Sequence, residues 1–469
     1  MKHLHILGIC GTFMGGIAAI ARDAGFKVTG CDAQVYPPMS TQLQQLGIEL
    51  IEGFGLEQLD LKPDVFVIGN VVSRGNPLME AILDQRLPYV SGPQWLEENI
   101  LRHKEVLAVS GTHGKTTTSS MLAFILEYAG KQPSFLIGGV PQDFSVSARL
   151  TDSPYFVIEA DEYDTAFFDK RSKLIHYPAT TAILNNLEFD HADIFKDLDA
   201  IQTQFHHWIR TLSRRATVIS NASSPALDDV LARGCWSGLQ TFSAQHNTKS
   251  DWRCGELLAD GSFEIYFKDQ AQGRLQFDML GEHNRANALA AMAAAHSIGI
   301  SIGQAIEAMS RFKGVRRRME LRGVVNGVSV YDDFAHHPTA IATTVAGLRH
   351  KLNQQVETKN ARILAVLEPR SNTMKLGVMK SQLPDSLREA DLIFGYGAAQ
   401  GKDALGWDLA GSLAPLGDKA QVFDQIDALV LAVLKEARAG DHILVMSNGG
   451  FGGIHQKLLD GLKEFLNFP

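Results

Sequence analysis

The chain has 469 residues, 45% of them hydrophobic and 20% charged, with a formal net charge of −8. That length leaves room for about three domains with ordinary cores, and the composition excludes intrinsic disorder. The acidic balance argues against non-specific nucleic-acid binding. Four cysteines without a C-x-x-C pair argue against a disulfide scaffold or a cysteine zinc module and fit a reducing cytoplasm.

In chain order, "HLHILGICGTFMGGIAAIARDAGFKVTGCD" predicts a strand, a Gly-rich turn, a helix and a second strand ending at Asp32, the start of a doubly wound α/β unit. "DVFVIGN" and "LPYVSG" continue it to about Arg102. A second unit starts with "EVLAVSGTHGKTTTSSMLAFILEYAG", an apolar strand, a glycine loop and a helix ending at Gly130. "YFVIEADEYD" and "TTAILNNLEFDHAD" then predict strands running into carboxylate-rich ends. A hairpin-rich stretch at about 235–280 precedes the helix "GEHNRANALAAMAAAHS". The basic run "GVRRRMELRG" lies before the strand "VSVYDD", which puts a boundary near Arg322. Beyond it, "RILAVLEPRSNTMK", "LIFGYGA" and "HILVMSNGGFGG" predict strands interleaved with helices such as "IDALVLAVLKEARAG". The expected fold class is α/β in three domains: a Rossmann-like one at 1–104, a P-loop ATPase-like one at 105–321 and a Rossmann-like one at 322–469. No run approaches 18 apolar residues, so neither signal peptide nor membrane span is expected.

The stretch "VSGTHGKTT" at 109–117 has Val109 where G-x-x-x-x-G-K-[ST] requires glycine. A strand before it and a helix after it are nevertheless the setting of a phosphate loop, because backbone N–H groups and a helix N-terminus then face the anion. Gly111, Thr112, His113, Gly114 and Thr117 would cradle phosphates, Lys115 would contact the terminal ones, and Thr116 would place its hydroxyl on Mg²⁺. A divalent cation takes hard oxygen ligands. Glu159 ends a strand, with Asp161, Glu162 and Asp164 close behind, and His191 offers a nitrogen ligand or phosphate contact. His283, Asn284 and Asn287 share a helical face, where amides could read an adenine edge. Of Arg316, Arg317 and Arg318, a hinge arginine could reach a transferred phosphate. In the first unit, Gly8, Gly11, Gly15 and Gly16 depart from G-x-G-x-x-G spacing but suit a diphosphate on a helix N-terminus, with Asp32 near a ribose or uracil. In the third, Arg370, Ser371, Asn372, Lys375 and the loop at 447–453 follow strands and suit an anionic substrate.

The order of "GTHGKTT", "IEADEYD", "NNLEFDHAD", "GEHNRANA", the arginine hinge and "YDDFAHHPTA" resembles the Mur ligases, ATP-dependent amide-forming enzymes of peptidoglycan assembly. "VYPPMST", "SGPQWL", "FFDKRSK", "LEPRSNTMK" and "VMSNGGFGGIHQKLLDGL" resemble the branch that joins UDP-N-acetylmuramate to the tripeptide L-Ala-γ-D-Glu-meso-diaminopimelate in peptidoglycan recycling; joining to L-alanine is the alternative. The resemblance implies ATP and Mg²⁺ as cofactors and an acyl phosphate intermediate. It further implies catalytic roles for Lys115, Arg318 and His191, metal ligation by Thr116, Glu159 and His191, an adenine side at Asn284 and Asn287, and ribose-side and linking roles for Asp333 and His336. The UDP-sugar would meet Gly8, Gly11, Thr12, Met14, Gly15, Asp32 and Ser73, and the peptide Arg370, Ser371, Asn372 and Lys375. One departure stands out: several family members carry a carbamylated lysine after the metal histidine, whereas "DLDAIQTQFHHWIR" has no lysine between Lys196 and Arg210. His206 and His207 become the candidates to replace it. A dinucleotide-dependent oxidoreductase would leave Lys115, Glu159 and His191 without a role, and a non-catalytic nucleotide-binding regulator would not need Arg318.

Overall fold

In the first sheet, β1 (His3–Leu7), β2 (Lys27–Asp32), β3 (Glu49–Glu52), β4 (Val65–Ile68) and β5 (Tyr89–Ser91) are all parallel, in the order β3-β2-β1-β4-β5. β1 is buried along its whole length, as a strand covered by helices on both faces must be. The strand order reverses beside β1, and the Gly-rich loop leaves the sheet at that switch point. The computed structural model describes residues 1–465 apart from 36–38, 259, 278, 280, 355–357, 359, 399, 402 and 403. Residues 36–38 of "VYPPMST" therefore lie outside the described residues.

The second sheet is built from β6 (Glu105–Ser110), β7 (Ser134–Leu136), β8 (Ala148–Arg149) and β9 (Tyr155–Glu159). A separate hairpin follows, β10 (Asp164–Ala166) and β11 (Asp169–Ser172), before β12 (Ala179–Leu184), β13 (Thr217–Asn221), β14 (Gly238–Ser243), β15 (Trp252–Cys254), β16 (Phe263–Phe267) and β17 (Gln270–Leu275). Its order is β17-β16-β15-β14-β13-β12-β6-β9-β7-β8. The strands from β15 through β7 run parallel, and antiparallel pairs occur only at the two ends. The stretch at 235–280 is thus hairpin only from β15 onward, since β14 continues the parallel sheet. Helix Glu282–Ser297 buries Ala288 through Ala295 without a break, the mark of a core helix, and lies against helix Lys115–Tyr128.

In the third sheet, β18 (Glu320–Val325), β19 (Val328–Asp333), β20 (Ile363–Leu367), β21 (Leu392–Tyr396), β22 (Ala420–Phe423) and β23 (His442–Met446) are ordered β18-β19-β23-β20-β21-β22. Only β18, the second half of the basic run, is antiparallel. Each of the three domains is therefore α/β around a parallel sheet.

Register aligns the functional loops. Val109 of β6 faces Glu159 of β9, and Ser110 faces Leu184 of β12, so the chain leaves these neighbouring parallel strands at one level of one edge. In the third sheet Asp333 and Leu367 both face Met446, which likewise brings the loops after β19, β20 and β23 together.

Candidate active site

The loop after β6 is held from behind by the chain after β12. Asn186 accepts the His113 N–H on its side-chain oxygen at 2.8 Å and donates to the His113 carbonyl at 2.9 Å, and Asn185 donates to that carbonyl at 3.1 Å. Gly114 has φ +78°, and a Cβ there would stand 2.6 Å from Asn287 Oδ1 and 2.7 Å from Asn185 Nδ2, so both the conformation and the packing call for glycine. Helix Lys115–Tyr128 starts directly after it with no side-chain cap. Its first amides, which have no intrahelical partner, are directed at the hollow of the loop.

Lys115 folds back into this hollow. Its ammonium donates to Gly111 O and Glu162 Oε2, each at 2.7 Å, and lies 3.5 Å from Asp161. Burial opposes the charge, but Glu162, Asp161 and Glu159 hold the lysine above its ordinary pKa. Thr116 donates to both oxygens of Glu159, at 3.1 and 3.0 Å, and the Gly138 N–H donates to Glu159 at 2.8 Å. Burial raises the Glu159 carboxyl. His191, in the left-handed region at φ +55°, turns its Nε2 to within 3.2 Å of Glu162. Burial works against its protonation, and Glu162, Asp190 and Asp161 overrule that and raise its pKa. Asp161 also accepts from Lys173 at 2.9 Å and titrates well below the usual carboxylate range.

The expected metal set thus divides into a Thr116–Glu159 pair and a His191 group with Asp161 and Glu162, whose ligand atoms lie within 4.8 Å of one another. The oxygen-rich donors suit a hard cation. The Tyr177 hydroxyl is buried without a hydrogen-bond partner, and burial, with the charges of Asp161 and Glu159, raises its pKa well above the ordinary value. His206 and His207 do not contribute. Helix Leu198–Ile209 turns His206 toward Trp236, at 6.2 Å between ring centres, and leaves His207 exposed. Asp161 and Glu162 are the acidic side chains clustered with His191 instead.

The three consecutive arginines differ in their surroundings, though Arg317 and Arg318 both lie over the Phe334 ring at 5.0 Å. Arg316 is exposed. Arg317, with φ +60°, donates from Nη2 to Ser447 O and Gly449 O, both at 2.7 Å, and so pins the third domain's glycine loop. Arg318 lies over the Phe334 ring at 5.0 Å; burial lowers its pKa, while Asp333 and Glu159 sustain its charge. Asp333, expected on the ribose side, spends its carboxylate on the Ala335 and Met319 N–H groups at 2.8 and 2.7 Å. It shapes the turn that carries Arg318. His336 donates to Phe334 O at 2.9 Å, and burial takes its pKa down to about 4.

Asn287 donates to Asn284 at 3.2 Å and accepts from Asn185 at 2.8 Å, behind the phosphate loop. Its neighbour His283 instead lines a cavity of about 480 Å³ between the central and third domains, together with Phe263, Met279, Arg285, Gly347 and Arg349. Burial lowers His283 to about 4, and His113 and Arg318 push the same way, which connects this cavity to the loop.

In the first domain, Gly8 takes φ +81°, and Gly11 caps helix Thr12–Asp23 without a side-chain cap of its own. Asp32 accepts the Cys10 N–H at 2.9 Å, so it orders the loop. Gly11, Thr12 and Ser73 are exposed, whereas Gly15 is buried under Met39 and Met14 is a core side chain only 6% exposed. Met14 can therefore meet a ligand only through its backbone. In the third domain, Ser371 caps the short helix Asn372–Lys375, Asn372 donates to Asp193 at 2.8 Å, and the Arg370 side chain packs where a Cβ on Gly449 would stand. Thr373 donates to Asp190 at 2.6 Å and Thr339 to Glu188 at 2.6 Å. Glu188, Asp190, Thr373 and His337 were not singled out one by one; the strings "NNLEFDHAD", "LEPRSNTMK" and "FAHHPTA" that contain them carried the only signal.

A phosphate loop whose lysine and threonine meet carboxylates from the next strands, faced by an arginine delivered from a further α/β domain, defines a nucleotide-dependent phosphoryl-transfer enzyme. Residues 3–104 match the Mur ligase family catalytic domain, 109–295 the Mur ligase middle domain and 317–449 the Mur ligase glutamate ligase domain. The chain is 52% identical to an Escherichia coli protein named UDP-N-acetylmuramate–L-alanyl-γ-D-glutamyl-meso-2,6-diaminoheptandioate ligase, over 98% of each chain. A Myxococcus xanthus UDP-N-acetylmuramate–L-alanine ligase is 29% identical over 98% of this chain and 95% of its own. The crystal structure of a murein peptide ligase from Psychrobacter arcticus superposes with a TM-score of 0.77 at 46% identity, covering 99% of both chains. The chain belongs to the Mur ligase family and is an ATP-dependent ligase.

Proposed function

We propose that this enzyme joins UDP-N-acetylmuramate to the tripeptide L-Ala-γ-D-Glu-meso-diaminopimelate, releasing ADP and phosphate, in the cytoplasm. The observation that carries the choice of acceptor peptide is the 52% identity over 98% of both chains to a ligase named for that peptide, against 29% to an L-alanine ligase. Among the described residues no helix is long and apolar enough to cross a membrane. Residues 1–104 take the UDP-sugar, with Gly8, Gly11, Thr12, the Met14 and Gly15 backbone, Asp32 and Ser73 around its diphosphate end. Residues 105–321 take ATP, and 322–469 bring the peptide to Arg370, Ser371, Asn372 and Lys375.

The chemistry follows from making an amide from a carboxylate, which is a poor electrophile. The lactoyl carboxylate of the sugar nucleotide takes the γ-phosphoryl group, giving an acyl phosphate and ADP; the tripeptide amine then attacks the acyl carbon and phosphate leaves. Gly111 to Thr117 hold the phosphates, and Lys115 exchanges Glu162 for the terminal phosphate. Arg318, already aimed into the site from the hinge, stabilises the charge that develops there. The adenine enters the cavity beside His283. Thr116 and Glu159 would hold Mg²⁺, with His191, Asp161 and Glu162 adjoining; bound there, the ion neutralises phosphate charge.

The test is phosphate release from UDP-N-acetylmuramate and ATP, measured with the tripeptide, with L-alanine and with neither. Release should need the tripeptide. Equal release with L-alanine would overturn the choice of peptide, and no release in any mixture would overturn the ligase mechanism.

A further inference from the structure

Glu188 lies just beyond β12, between two histidines from different domains. Its Oε2 is 3.5 Å from Nε2 of His113 on the phosphate loop and 3.7 Å from Nδ1 of His337, immediately before helix Pro338–Gln354 of the third domain. The imidazole centres are 4.6 Å apart, and one ligand atom from each residue lies within 4.8 Å of the other two. Separations of 3.5 and 3.7 Å are too long for good hydrogen bonds. They are the separations of atoms arranged around a shared centre.

The protonation pattern points the same way. His337 Nε2 lies 3.4 Å from the Phe189 carbonyl, which can only accept, so the ring proton sits on Nε2. Nδ1 then carries the lone pair and accepts a long hydrogen bond from the Thr339 N–H at 3.3 Å, a contact that metal binding would replace. His113 Nε2 is sealed from solvent and has no hydrogen-bond partner. The outer contacts, Phe189 O on the far nitrogen of His337 and the Thr339 hydroxyl on Glu188 Oε2 at 2.6 Å, are those that orient the ligands of metal sites.

We propose that His113, Glu188 and His337 form a binding site for a divalent transition metal of the zinc class, tying the phosphate loop to the third domain. Two imidazole nitrogens and one carboxylate oxygen are a zinc donor set. Mg²⁺ prefers oxygen ligands and is directed to the acidic group around Glu159 and Glu162, which shares no residue with this site. Two ligands belong to the central domain and one to the third, so the metal holds these domains together and slows the opening that admits substrates and releases products. Metal uptake is independent of which peptide the ligase accepts.

The full-length protein, stripped with chelator and kept in millimolar Mg²⁺, is titrated with Co²⁺ and with Zn²⁺. Wild type and His191→Gln should each take up a single equivalent with the visible absorption of four-coordinate cobalt. Changes to outer contacts alone cost about 10–100-fold in affinity, so Glu188→Gln and His337→Ala should bind at least about 100-fold more weakly. Turnover of the wild type should fall at zinc concentrations that leave His337→Ala unaffected relative to its own zinc-free rate. X-ray absorption of the zinc-loaded wild type, which needs no variant to fold, should show two imidazole nitrogens. No uptake by wild type, uptake that survives both substitutions, uptake lost in His191→Gln, or a zinc shell with a single imidazole would each overturn the proposal.

Discussion

Replacing Lys115 by methionine keeps the length of the side chain and removes its charge. At an effective dielectric of about 20, Coulomb's law gives about 6 kcal/mol of gross attraction between Lys115 and Glu162 at 2.7 Å, much of it cancelled by burying the ammonium. Breaking a buried pair costs about 3–5 kcal/mol when the surviving partner is stranded. Here neither carboxylate is stranded, because Asp161 keeps Lys173 at 2.9 Å and Glu162 keeps His191 at 3.2 Å. The variant should therefore fold, losing no more than about 3 kcal/mol. Catalysis has no such reserve. A single preorganised donor aimed at developing charge is worth about 2.7–4 kcal/mol, and a cation on the transferred phosphate about 10³–10⁵ in rate, so turnover should drop by at least about 10³-fold. The assay is phosphate release at saturating substrates, beside thermal unfolding followed by circular dichroism. A folded Lys115→Met enzyme that keeps more than about a tenth of wild-type turnover would refute the assignment of this lysine to the terminal phosphate.

Gly114→Ala adds about 1–2 kcal/mol of left-handed strain and pushes a Cβ onto Asn287 Oδ1 at 2.6 Å; KM for ATP should rise about tenfold or more with the far-UV spectrum unchanged, and an unaltered KM would count against the loop's role. Arg317→Ala frees the Ser447 and Gly449 carbonyls, and hydrogen bonds from a charged donor are worth about 1.5–3 kcal/mol. KM for the peptide should therefore rise about tenfold or more while that for ATP stays put; parallel rises in both would show that the arginine does more than order the glycine loop. His5, buried between Thr29 and Gln58, is taken by burial from 6.5 to about 4. Its folded pKa is lowered, so the unfolded chain binds more protons between those values and stability falls as pH drops from about 6.5 to about 4. At about 1.4 kcal/mol per unit the loss reaches about 3 kcal/mol. Hydrogen exchange in β1 should show this slope and lose it in His5→Asn; an identical slope in the variant would remove His5 as its source.

Apolar runs ending in glycine or carboxylates announced the parallel strands, because such strands are buried on both faces and release the chain toward ligands at their ends. The order of strands within a sheet had no local signal. β12 pairs with β6 on the side opposite β9, and only that pairing places His191 from one loop against Glu162 from another. Identical neighbours in sequence diverged for the same reason: Arg317 and Arg318 both lie over Phe334 at 5.0 Å, and Arg317, at φ +60°, also donates to the Ser447 and Gly449 carbonyls. The ribose-side role of Asp333 came only from the family resemblance, and no spacing announced that its oxygens accept the Met319 and Ala335 N–H groups in the turn after β19. The cluster of His113, Glu188 and His337 draws on three distant segments, beyond the reach of any spacing rule.

The segment at 185–193 couples the central domain to the third. On one side Asn185 and Asn186 grip the His113 backbone, fixing the phosphate loop. On the other, Glu188 receives Thr339, Asp190 receives Thr373 and Asp193 receives Asn372, all from the third domain. His191, between Asp190 and Asp193, reaches Glu162, the partner of Lys115. A shift of the third domain therefore pulls on the same short segment that orders the loop and positions the histidine. Packed elements of this kind move between discrete arrangements and do not stretch, so docking of the peptide-bearing domain and assembly of the phosphate site are one event. An acyl phosphate formed in such a site meets its amine before water can reach it.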